Sequence, residues 1–417
     1  MKVIANVLNS ISIFTFTYGL FNKKEPLPIN KEQFSSWLAG FIDGEGSFQV
    51  FLDRVYLRVM FRIRLHKDDI NVLQKIQDFL GVGRVVIEGN SCVFIISNVK
   101  ELINVLFPLL DKYNLYTTKW LDYIDFKKVV LFLSDSKTTK LSLSEIEKIK
   151  NNMSHMNSGR TEYNYSLIPP RREVNPFWFL GFIEGEGTFG FKNLSPFFQL
   201  GQHIRSLYVL EAIANYLQSI PKGFKFSLRS EAPNVINSFN KKTDVSVISI
   251  LNIDALYDYL VFFLLDMPFQ TRKGEDFYYW CIVLHLHKLG YFYLQEGRNL
   301  AYLISQFINT GRYSTNPNPG KAPNLADIKK VLNLNLPVTL TPSMLHVDLA
   351  KAFASKVKTR TIWVYENGVL LNGSPFSSFA SAMEAAGYSK TSIAGRRSID
   401  TGKLIGGRFT FYSNPLL

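Results

Sequence analysis

Two segments of the chain share one pattern of hydrophobic and small residues. They read LAGFIDGEG at Leu38–Gly46 and FLGFIEGEG at Phe179–Gly187. In each copy the apolar residues recur at helical spacing, and the copy ends in alternating glycines and acids. A motif repeated in this way predicts two similar halves, each containing one helix that can pack against its counterpart.

The pattern that follows each motif is repeated as well. An aromatic, strand-like stretch leads into a helical pattern, then more strand-like sequence, and then closing helical patterns. The order of helix, strands, helix, strands and helices predicts a mixed α+β domain for each half.

Polar stretches rich in proline, asparagine and glycine mark the boundaries between these parts. One contains SHMNSG and the pair Pro169-Pro170, and another reads RYSTNPNPGKAP. Such composition is typical of linkers. The predicted organisation is a first domain at 31–134, a linker at 135–174 with one helix at Leu143–Met153, a second domain at 175–311, a helical connector at 312–358 and a small module at 361–417.

The small module has a pattern of its own. A strand-like stretch turns at Asn367-Gly368, a favoured hairpin pair, and two short helical patterns follow. Their candidate caps and ends are Ser377 or Ser378, Gly387 and Ser389. Two short helices joined by a glycine-containing turn are typical of helix-turn-helix geometry. The second helix would expose four residues to DNA: Lys390, Thr391, Arg396 and Arg397. A purely structural appendage is the alternative.

Composition narrows the range of partners. The net charge of +13 and the pI of about 9.4 favour a polyanion, with nucleic acid ahead of an anionic membrane surface. Only two cysteines are present, Cys92 and Cys281, which excludes a disulfide framework and a cysteine-rich zinc site. Polar residues interrupt the apolar stretch Met1–Phe21, so we expect no membrane span. Abundant Phe, Tyr, Asn, Ile and Lys are the residues of AT-rich codons and indicate an organellar gene.

The glycines of the two motifs point to close helix packing. Gly40 and Gly44 lie four residues apart on one helix face, and Gly181 and Gly185 repeat this spacing. Small residues at this spacing let two helix backbones approach each other. A glycine inside a helix costs about 1 kcal/mol relative to alanine, so the repeated pair needs such a reason.

The acids of the motifs are placed where anions are unfavourable. Asp43 and Glu45, like Glu184 and Glu186, lie at the C-terminal end of a helix, where the helix dipole disfavours negative charge. Two packed motif helices would also bring Glu45 close to Glu186. A divalent cation, Mg²⁺ by its preference for oxygen ligands, would relieve both problems. The alternative, a glycine-rich turn with solvent-facing acids, does not explain two copies in matching contexts.

These residues resemble the LAGLIDADG homing endonucleases in their single-chain form with two motifs. LAGFIDGEG keeps most of the pattern, whereas the second copy departs at its first two positions and has Glu184 in place of an aspartate. The resemblance covers Lys31–Leu133 and Asn175–Thr310. It implies two pseudo-symmetric domains packed through the motif helices, with antiparallel strands forming a saddle over double-stranded DNA. The C-terminal module resembles the small modular DNA-binding repeats appended to such enzymes.

The resemblance also implies roles for individual residues. Glu45 and Glu186 would bind the divalent metal and drive cleavage of both DNA strands. The backbone carbonyls of Gly44 and Gly185 would contribute to the metal sites. A basic residue lies near each active site in this family, and Lys119 and Lys273 match that segment. Either lysine could instead be a solvent-facing helix residue.

Strand-like segments supply candidate DNA-reading faces. In RVMFRIRLH, Arg58, Arg62 and Arg64 alternate with apolar residues, which predicts a strand with an apolar back and a cationic front. Arginine forks can bind guanine edges or phosphates. An ordinary amphipathic strand is the alternative. The second half repeats this pattern more weakly, and its candidate DNA-binding residues are Gln199, Gln202, His203, Lys225 and Arg229.

The sequence thus favours a site-specific, Mg²⁺-dependent double-strand DNA endonuclease. We expect it to be encoded by a mobile intron in a mitochondrial genome and to act as a monomer with both active-site halves in one chain. The first alternative is a maturase that binds its own intron RNA and assists splicing. The second is a DNA-binding protein without catalysis, which gains nothing from crowding two carboxylates near phosphate.

Overall fold

The computed structural model describes residues 28–54, 56–135, 142, 144–147, 149, 156–170, 173–219, 235–240, 243–341, 344–356, 361–413 and 415–416. The predictions for Lys225 and Arg229, and for the N-terminal segment 1–27, lie outside these residues. Within the predicted linker helix, residues 144–147 and 149 are helical. None of the described helices is long and apolar enough to cross a membrane.

The chain divides into two compact units, Met1–Asn333 and Leu334–Leu417. The division falls inside the predicted connector 312–358. The first unit contains both motif halves, and the second contains the small module.

The first half begins with the motif helix α1. The side-chain oxygen of Asn30 accepts a hydrogen bond from the amide of Gln33, and the side-chain oxygen of Gln33 accepts one from the amide of Asn30, so a capping box fixes where the helix starts. The elements of this half are α1 (Lys31–Glu45), β1 (Gly46–Asp53), β2 (Tyr56–His66), α2 (Ile70–Leu80), β3 (Arg84–Glu88), β4 (Ser91–Ile96), α3 in three consecutive segments (Val99–Glu101, the π-helical Leu102–Leu106 and Phe107–Lys112) and α4 (Lys119–Asp135).

The second half repeats this order. Asn175 caps its motif helix, and Pro176 occupies the first helical position, where a missing N–H costs nothing. The elements are α5 (Pro176–Glu186), β5 (Gly187–Lys192), β6 (Ser195–His203), α6 (Leu207–Ser219), β7 (Val235–Asn240), β8 (Val245–Ile250), α7 in three segments (Ile253–Ala255, the π-helical Leu256–Val261 and Phe262–Leu264), α8 (Lys273–Leu289), α9 (Gln295–Phe307) and α10 (Leu325–Leu332).

The sheets of the two halves have the same antiparallel topology. Their strand orders are β1-β2-β4-β3 and β5-β6-β8-β7. The register matches too, because Phe48 pairs with Phe61 in the first sheet and Phe189 pairs with Phe198 in the second. Phe61 and Phe198 are therefore equivalent, which aligns β2 with β6 residue by residue. The predicted α+β class with two similar antiparallel halves is confirmed.

Aromatic side chains fill the space between each sheet and its helices. Phe48 is fully buried and packs on Phe61, Tyr123 and Phe126. In the second half Phe189 packs in the same way on Phe198, Phe277 and Trp280. Because β1 and β5 follow directly after the motif acids, this packing fixes the acid-bearing ends of α1 and α5 against α4 and α8.

The second unit has its own small core. Its elements are α11 (His346–Lys356), β9 (Trp363–Glu366), β10 (Val369–Leu370), α12 (Phe379–Ala385), α13 (Ile393–Ser398) and β11 (Phe409–Tyr412), with sheet order β10-β9-β11. Asn367 and Gly368 both have positive φ, as the hairpin turn between β9 and β10 requires. Ser378 caps α12, in agreement with one of the two predicted caps.

One predicted cap in this unit is wrong. Ser392, and not Ser389, accepts the hydrogen bond that starts α13, from the amide of Gly395. The helix therefore begins one turn later than predicted. Lys390 and Thr391 lie in the turn before α13, while Arg396 and Arg397 lie on it.

Candidate active site

The motif helices α1 and α5 pack with their backbones almost in contact. A Cβ atom added to Gly40 would lie 1.9 Å from the carbonyl oxygen of Trp178, and one added to Gly181 would lie 1.9 Å from that of Trp37. No side chain fits at either position. One turn further on, a Cβ at Gly44 would lie 3.0 Å from the Cα of Gly185. The structure thus brings together the four glycines predicted for the interface: Gly40, Gly44, Gly181 and Gly185.

The contact between α1 and α5 is called the seam below. The first acid of each motif is buried and forms a hydrogen bond across it. Asp43 accepts the indole N–H of Trp178 at 2.9 Å, and Glu184 accepts that of Trp37 at 2.5 Å. Each carboxylate also accepts hydrogen bonds from its own half: from a threonine and from the amide of the residue before it, Tyr116 for Asp43 and Gln270 for Glu184. Thr117 donates its amide and hydroxyl to Asp43 at 3.0 and 2.6 Å, and Thr271 donates both to Glu184 at 2.6 Å.

These bonds correct one prediction. The sequence implied a cation from all four motif acids, but Asp43 and Glu184 already have hydrogen-bond donors. Burial raises the pKa of Asp43 and of Glu184, and the hydrogen bonds oppose that rise. Each of these two acids has donors from both sides of the seam, so neither needs a metal. The pair Trp37 and Trp178 was missed, although their spacing along the chain equals that of the acids.

The second acids, Glu45 and Glu186, lie half-buried where α1 and α5 end, and each crosses to the other half. The Cγ of Glu186 lies 3.4 Å from the Cβ position of Gly44, and the Cγ of Glu45 lies 3.6 Å from that of Gly185. Burial raises the pKa of both carboxyls, and the negative charge of Glu186 raises that of Glu45 further.

Lys119 and Lys273 point toward the ends of the motif helices rather than into solvent. The ammonium of Lys119 donates to the carbonyls of Ile42 and Gly44 at 3.0 Å each. Lys273 donates to the equivalent carbonyls of Ile183 and Gly185 at 3.2 and 3.3 Å. The carbonyls of Ile42 and Ile183 also accept the cap amides of Gly46 and Gly187. Gly44 and Gly185 lie in the last turn, where carbonyls have no partner further along the helix. Burial lowers the pKa of both lysines, and the nearby carboxylates oppose that shift.

The seam therefore carries two composite clusters. One joins Glu186 of the second half to Gly44 and Lys119 of the first, and the other joins Glu45 to Gly185 and Lys273. The charges agree with this grouping, because Lys119 lowers the pKa of Glu186 more than Lys273 does, and the reverse holds for Glu45.

The residues of these clusters fit a hard divalent cation. Two desolvated carboxylates that repel each other and the adjacent carbonyls of Gly44 and Gly185 are oxygen ligands of the kind Mg²⁺ prefers. Within the described ranges no group of three or more His, Cys, Asp and Glu side chains could hold a metal. A cation at Glu45 and Glu186 would complete its coordination with water or substrate phosphate, as Mg²⁺ commonly does.

The predicted arginine face is present on β2. Val59, Phe61 and Ile63 are buried, while Arg58 and Arg64 are exposed and Arg62 is half-buried. All three arginines have acidic partners. Arg62 and Arg64 lie 3.1 and 3.4 Å from Glu88, and Arg58 lies 3.8 Å from Asp53.

The corresponding face of β6 is poorer in charge. The register places Gln199 at the position of Arg62 and Gly201 at that of Arg64. The ring of His203 accepts hydrogen bonds from the amide and the Nε of Arg205, at 3.3 and 3.0 Å, and so caps a 3₁₀ turn. A DNA contact by His203 would have to use its other ring nitrogen.

Gln202 lies on the opposite face of β6 from Gln199 and His203. Its side chain hydrogen-bonds to Glu186, which opposes the raised pKa of that acid. The register makes Leu65 its counterpart in the first half. Gln202, predicted as a DNA contact, is thus part of one cluster, and the other cluster has an apolar residue in its place.

In the second unit the four predicted DNA contacts are exposed. Lys390 lies 3.1 Å from Glu384, and the guanidinium of Arg396 lies 5.4 Å from the ring centre of Phe379. Thr391 precedes α13, and Arg397 follows Arg396 on it.

Comparison with known proteins agrees with this geometry. Residues 38–130 match the family model described as LAGLIDADG endonuclease. The mitochondrial protein RF1 of Saccharomyces cerevisiae, itself uncharacterised, is 27% identical over 379 residues, which cover 86% of this chain and 77% of RF1. Probable intron-encoded endonuclease 3 of Neurospora crassa is 28% identical over 278 residues, 58% of this chain. This chain spans about half of that relative's length, 51%.

Solved structures share the fold. The meganuclease I-SmaMI bound to uncleaveable DNA superposes with a TM-score of 0.58 at 22% identity, covering 69% of this chain and 100% of the other. The LAGLIDADG homing endonuclease I-GzeII, in complex with its DNA target, gives the same values. The resemblance recognised from the motifs is confirmed. Residues 38–130 are a LAGLIDADG endonuclease domain, and the first unit of the chain has the two-domain fold of the LAGLIDADG homing endonucleases.

Proposed function

We propose that this chain is a site-specific DNA endonuclease that cuts both strands at the seam between its halves and depends on Mg²⁺. The observation that carries the proposal is the exchange of Glu45 and Glu186 across the seam, each beside a glycine carbonyl and a half-buried lysine of the other half. This arrangement does not help folding, because it desolvates two like charges. It is suited to a divalent cation and a phosphodiester.

The metal would be held by the carboxylates of Glu45 and Glu186 and the carbonyls of Gly44 and Gly185. A divalent cation bound there supplies an activated water and stabilises the departing oxygen. The two composite clusters would each serve one strand of the duplex.

Lys119 and Lys273 would act on the charge that develops at the phosphate. Each ammonium is fixed by two or more backbone carbonyls, so it needs little reorganisation during the reaction. Its position beside the partner acid would also set the orientation of the attacking water.

DNA binding would use the sheet faces and the net positive charge of the chain. Arg58, Arg62 and Arg64 would contact one half-site, with Gln199 and His203 on the other. From the sequence alone, Lys225 and Arg229 are further candidates for the second half-site. In the C-terminal unit we propose DNA contacts by Lys390, Thr391, Arg396 and Arg397. A single chain supplies both clusters, so we propose that it acts as a monomer.

The relatives support an intron-borne, organellar role. RF1 is a mitochondrial protein, and the Neurospora relative is named as a probable intron-encoded endonuclease. We propose that this protein likewise acts in the mitochondrion and promotes the mobility of its intron. The target would then be the exon sequence that the intron interrupts.

The test is cleavage of a plasmid carrying the uninterrupted exon. With Mg²⁺ the protein should linearise it, and Glu45→Gln or Glu186→Gln should abolish this. Glu296→Gln, which changes an exposed carboxylate on α9, is the matched control and should still cut. Cleavage in excess EDTA, or by the double Glu→Gln variant, would contradict the proposal. If that double variant still promotes splicing of the intron, the maturase alternative gains support.

A further inference from the structure

A second repeat lies in the segments that follow α4 and α9, where the sequence predicts linkers. It reads NSGR at 157–160 and NTGR at 309–312. We name the segments 156–168 and 307–316 strap 1 and strap 2. Composition predicts a linker over all of strap 1 and over strap 2 from Arg312 onward, yet only 9% of the Arg160 side chain and 5% of the Arg312 side chain are exposed.

Each strap holds the strand that follows the motif acid. The side-chain amide of Asn157 donates to the carbonyl of Phe48 at 2.8 Å, and that of Asn309 donates to the carbonyl of Phe189 at 3.0 Å. Both asparagines have positive φ, at 54° and 58°, a conformation that asparagine tolerates better than most residues. Phe48 and Phe189 stand three residues after Glu45 and Glu186.

Each strap also holds the helix that carries the lysine. In strap 1 the amide of Asn157 and the Nε of Arg160 donate to Asp122 at 2.9 and 3.0 Å. In strap 2 the amide of Asn309 donates to Asp276 at 2.9 Å, and Arg312 pairs with the same carboxylate.

The two aspartates stand directly beside the lysines on their helices. Asp122 follows Lys119 by three residues, and Asp276 follows Lys273 by three, so each pair lies on one helix face. A shift of either aspartate would therefore move the lysine of that helix.

Each strap then crosses to the other half. Tyr163 of strap 1 accepts a hydrogen bond from Arg205, and Tyr165 donates to the carbonyl of Arg205 at 3.0 Å. In strap 2 the amide and hydroxyl of Ser314 donate to Asp68, at 2.7 Å each. Asp68 and Arg205 occupy equivalent positions, just beyond the ends of β2 and β6.

Strap 2 also contacts His66, the histidine at the end of β2. The ring of Tyr313 stacks on His66 with centres 4.1 Å apart, and the hydroxyl of Thr315 lies 2.9 Å from the Nε2 of His66. The straps therefore join three parts: the strand after the acid, the helix with the lysine, and the opposite half.

We propose that Arg160 and Arg312 are positioning residues, each of which holds one lysine in register with the acid that reaches it from the other half. Arg160 acts on Lys119 through Asp122, and Arg312 acts on Lys273 through Asp276. The inference rests on the proposed endonuclease function. Because the two composite clusters are separate, losing one arginine impairs the cluster of its own lysine and spares the other.

The experiment follows the two DNA strands separately. A target duplex with different labels on its two strands is cut under single-turnover conditions by Arg160→Met and by Arg312→Met. Each variant should slow one strand by on the order of 100-fold, the effect of a small misplacement of a catalytic group, and the two variants should slow opposite strands. Lys119→Met and Lys273→Met assign the strands, and DNA affinity measured in Ca²⁺ should not change.

Lys288→Met is the matched control. Lys288 lies on the same helix as Lys273, near its other end, and pairs with Asp254 at 2.6 Å and Asp258 at 2.8 Å. This variant removes a buried ion pair of comparable kind and should leave the ratio of the two strand rates unchanged. Arg160→Lys and Arg312→Lys keep the charge and should restore part of the rate. If a methionine variant does not fold, the strand rates of the lysine variants are compared instead.

Two results would overturn the proposal. One is equal slowing of both strands by either arginine variant, which indicates general destabilisation. The other is the same strand preference in Lys288→Met. If the unmodified protein cuts neither strand, it is the endonuclease function that fails, and the test of the straps does not arise.

Discussion

The two halves of the molecule are nearly identical at the seam and different on the sheets. At the seam, Trp37 bonds to Glu184 as Trp178 bonds to Asp43. On both sides a Cβ added to the glycine would lie the same 1.9 Å from a carbonyl oxygen. Backbone-to-backbone packing admits only glycine, and a buried carboxylate requires its full set of donors. The seam therefore tolerates little change.

The sheets show how far the halves diverge where no such constraint acts. In the aligned register, Gln199 and Gly201 of β6 occupy the positions of Arg62 and Arg64 of β2. Leu65 stands where the second half has Gln202 beside Glu186. We infer a target that is only imperfectly palindromic and two clusters of unequal chemistry.

The largest effect we predict comes from breaking the symmetric seam. Gly40→Ala and Gly181→Ala each drive a Cβ into a backbone carbonyl, and we expect a loss of about 4–5 kcal/mol or failure to fold. Chemical denaturation measures this. Gly81→Ala, at a helix end with open space around it but positive φ, should cost about 1 kcal/mol. A stable Gly40→Ala protein would show that the helices do not pack this closely.

Replacing either tryptophan should lower the free energy of unfolding by a smaller amount, equal for the two variants. Trp37→Phe removes the indole donor to Glu184, and Trp178→Phe removes the one to Asp43. A hydrogen bond to a charged group is worth about 1.5–3 kcal/mol, and we expect each variant to lose about that much in denaturant unfolding. Clearly unequal losses would show that the seam is less symmetric than its geometry indicates.

The difference between the clusters can be tested by giving each half the residue that the other half has at this position. Gln202→Leu gives the second half the residue of the first, and it should slow the strand served by Glu186 about tenfold, equivalent to about 1.4 kcal/mol. Leu65→Gln supplies the missing donor to the other cluster and should not slow either strand. Single-turnover cleavage of a strand-labelled duplex measures both. Equal slowing of the two strands by Gln202→Leu would argue against separate clusters.

The smallest effect concerns pH. Burial raises the pKa of Glu45 and Glu186 above the usual 4.5, so these two carboxyls bind more protons in the folded protein than in the unfolded chain. Their contribution to stability without metal should therefore fall as the pH rises from about 4.5 through their folded pKa values. The Glu45→Gln/Glu186→Gln variant lacks this loss and should melt higher than the unmodified protein at pH 7 but not at pH 4. A higher melting temperature of the unmodified protein at pH 7 would contradict the sign.

Much of the fold and part of the site could be predicted from the sequence, because they depend on local pattern. The repeated motif predicts α1 and α5, their glycines and the closeness of Glu45 and Glu186. The strand alternation predicts the arginine face of β2.

Other features depend on contacts that sequence order does not reveal. The donors to Asp43 come from Thr117 and from Trp178 of the other half. Arg160 and Arg312 lie in polar segments whose composition suits a linker equally well, and only the repeat of N, G and R at fixed spacing marks them. The exact register decides whether Gln202 faces DNA or Glu186, and a strand pattern alone does not fix it.

The central claim is that Glu45 and Glu186 hold the catalytic metal, each in its own cluster. A crystal structure of the protein with its target duplex and Mn²⁺, in which anomalous scattering locates the ions, tests it most directly. We predict Mn²⁺ within coordination distance of each carboxylate, about 2.0–2.1 Å, and in contact with the scissile phosphates. Anomalous peaks bound to neither glutamate would contradict the account.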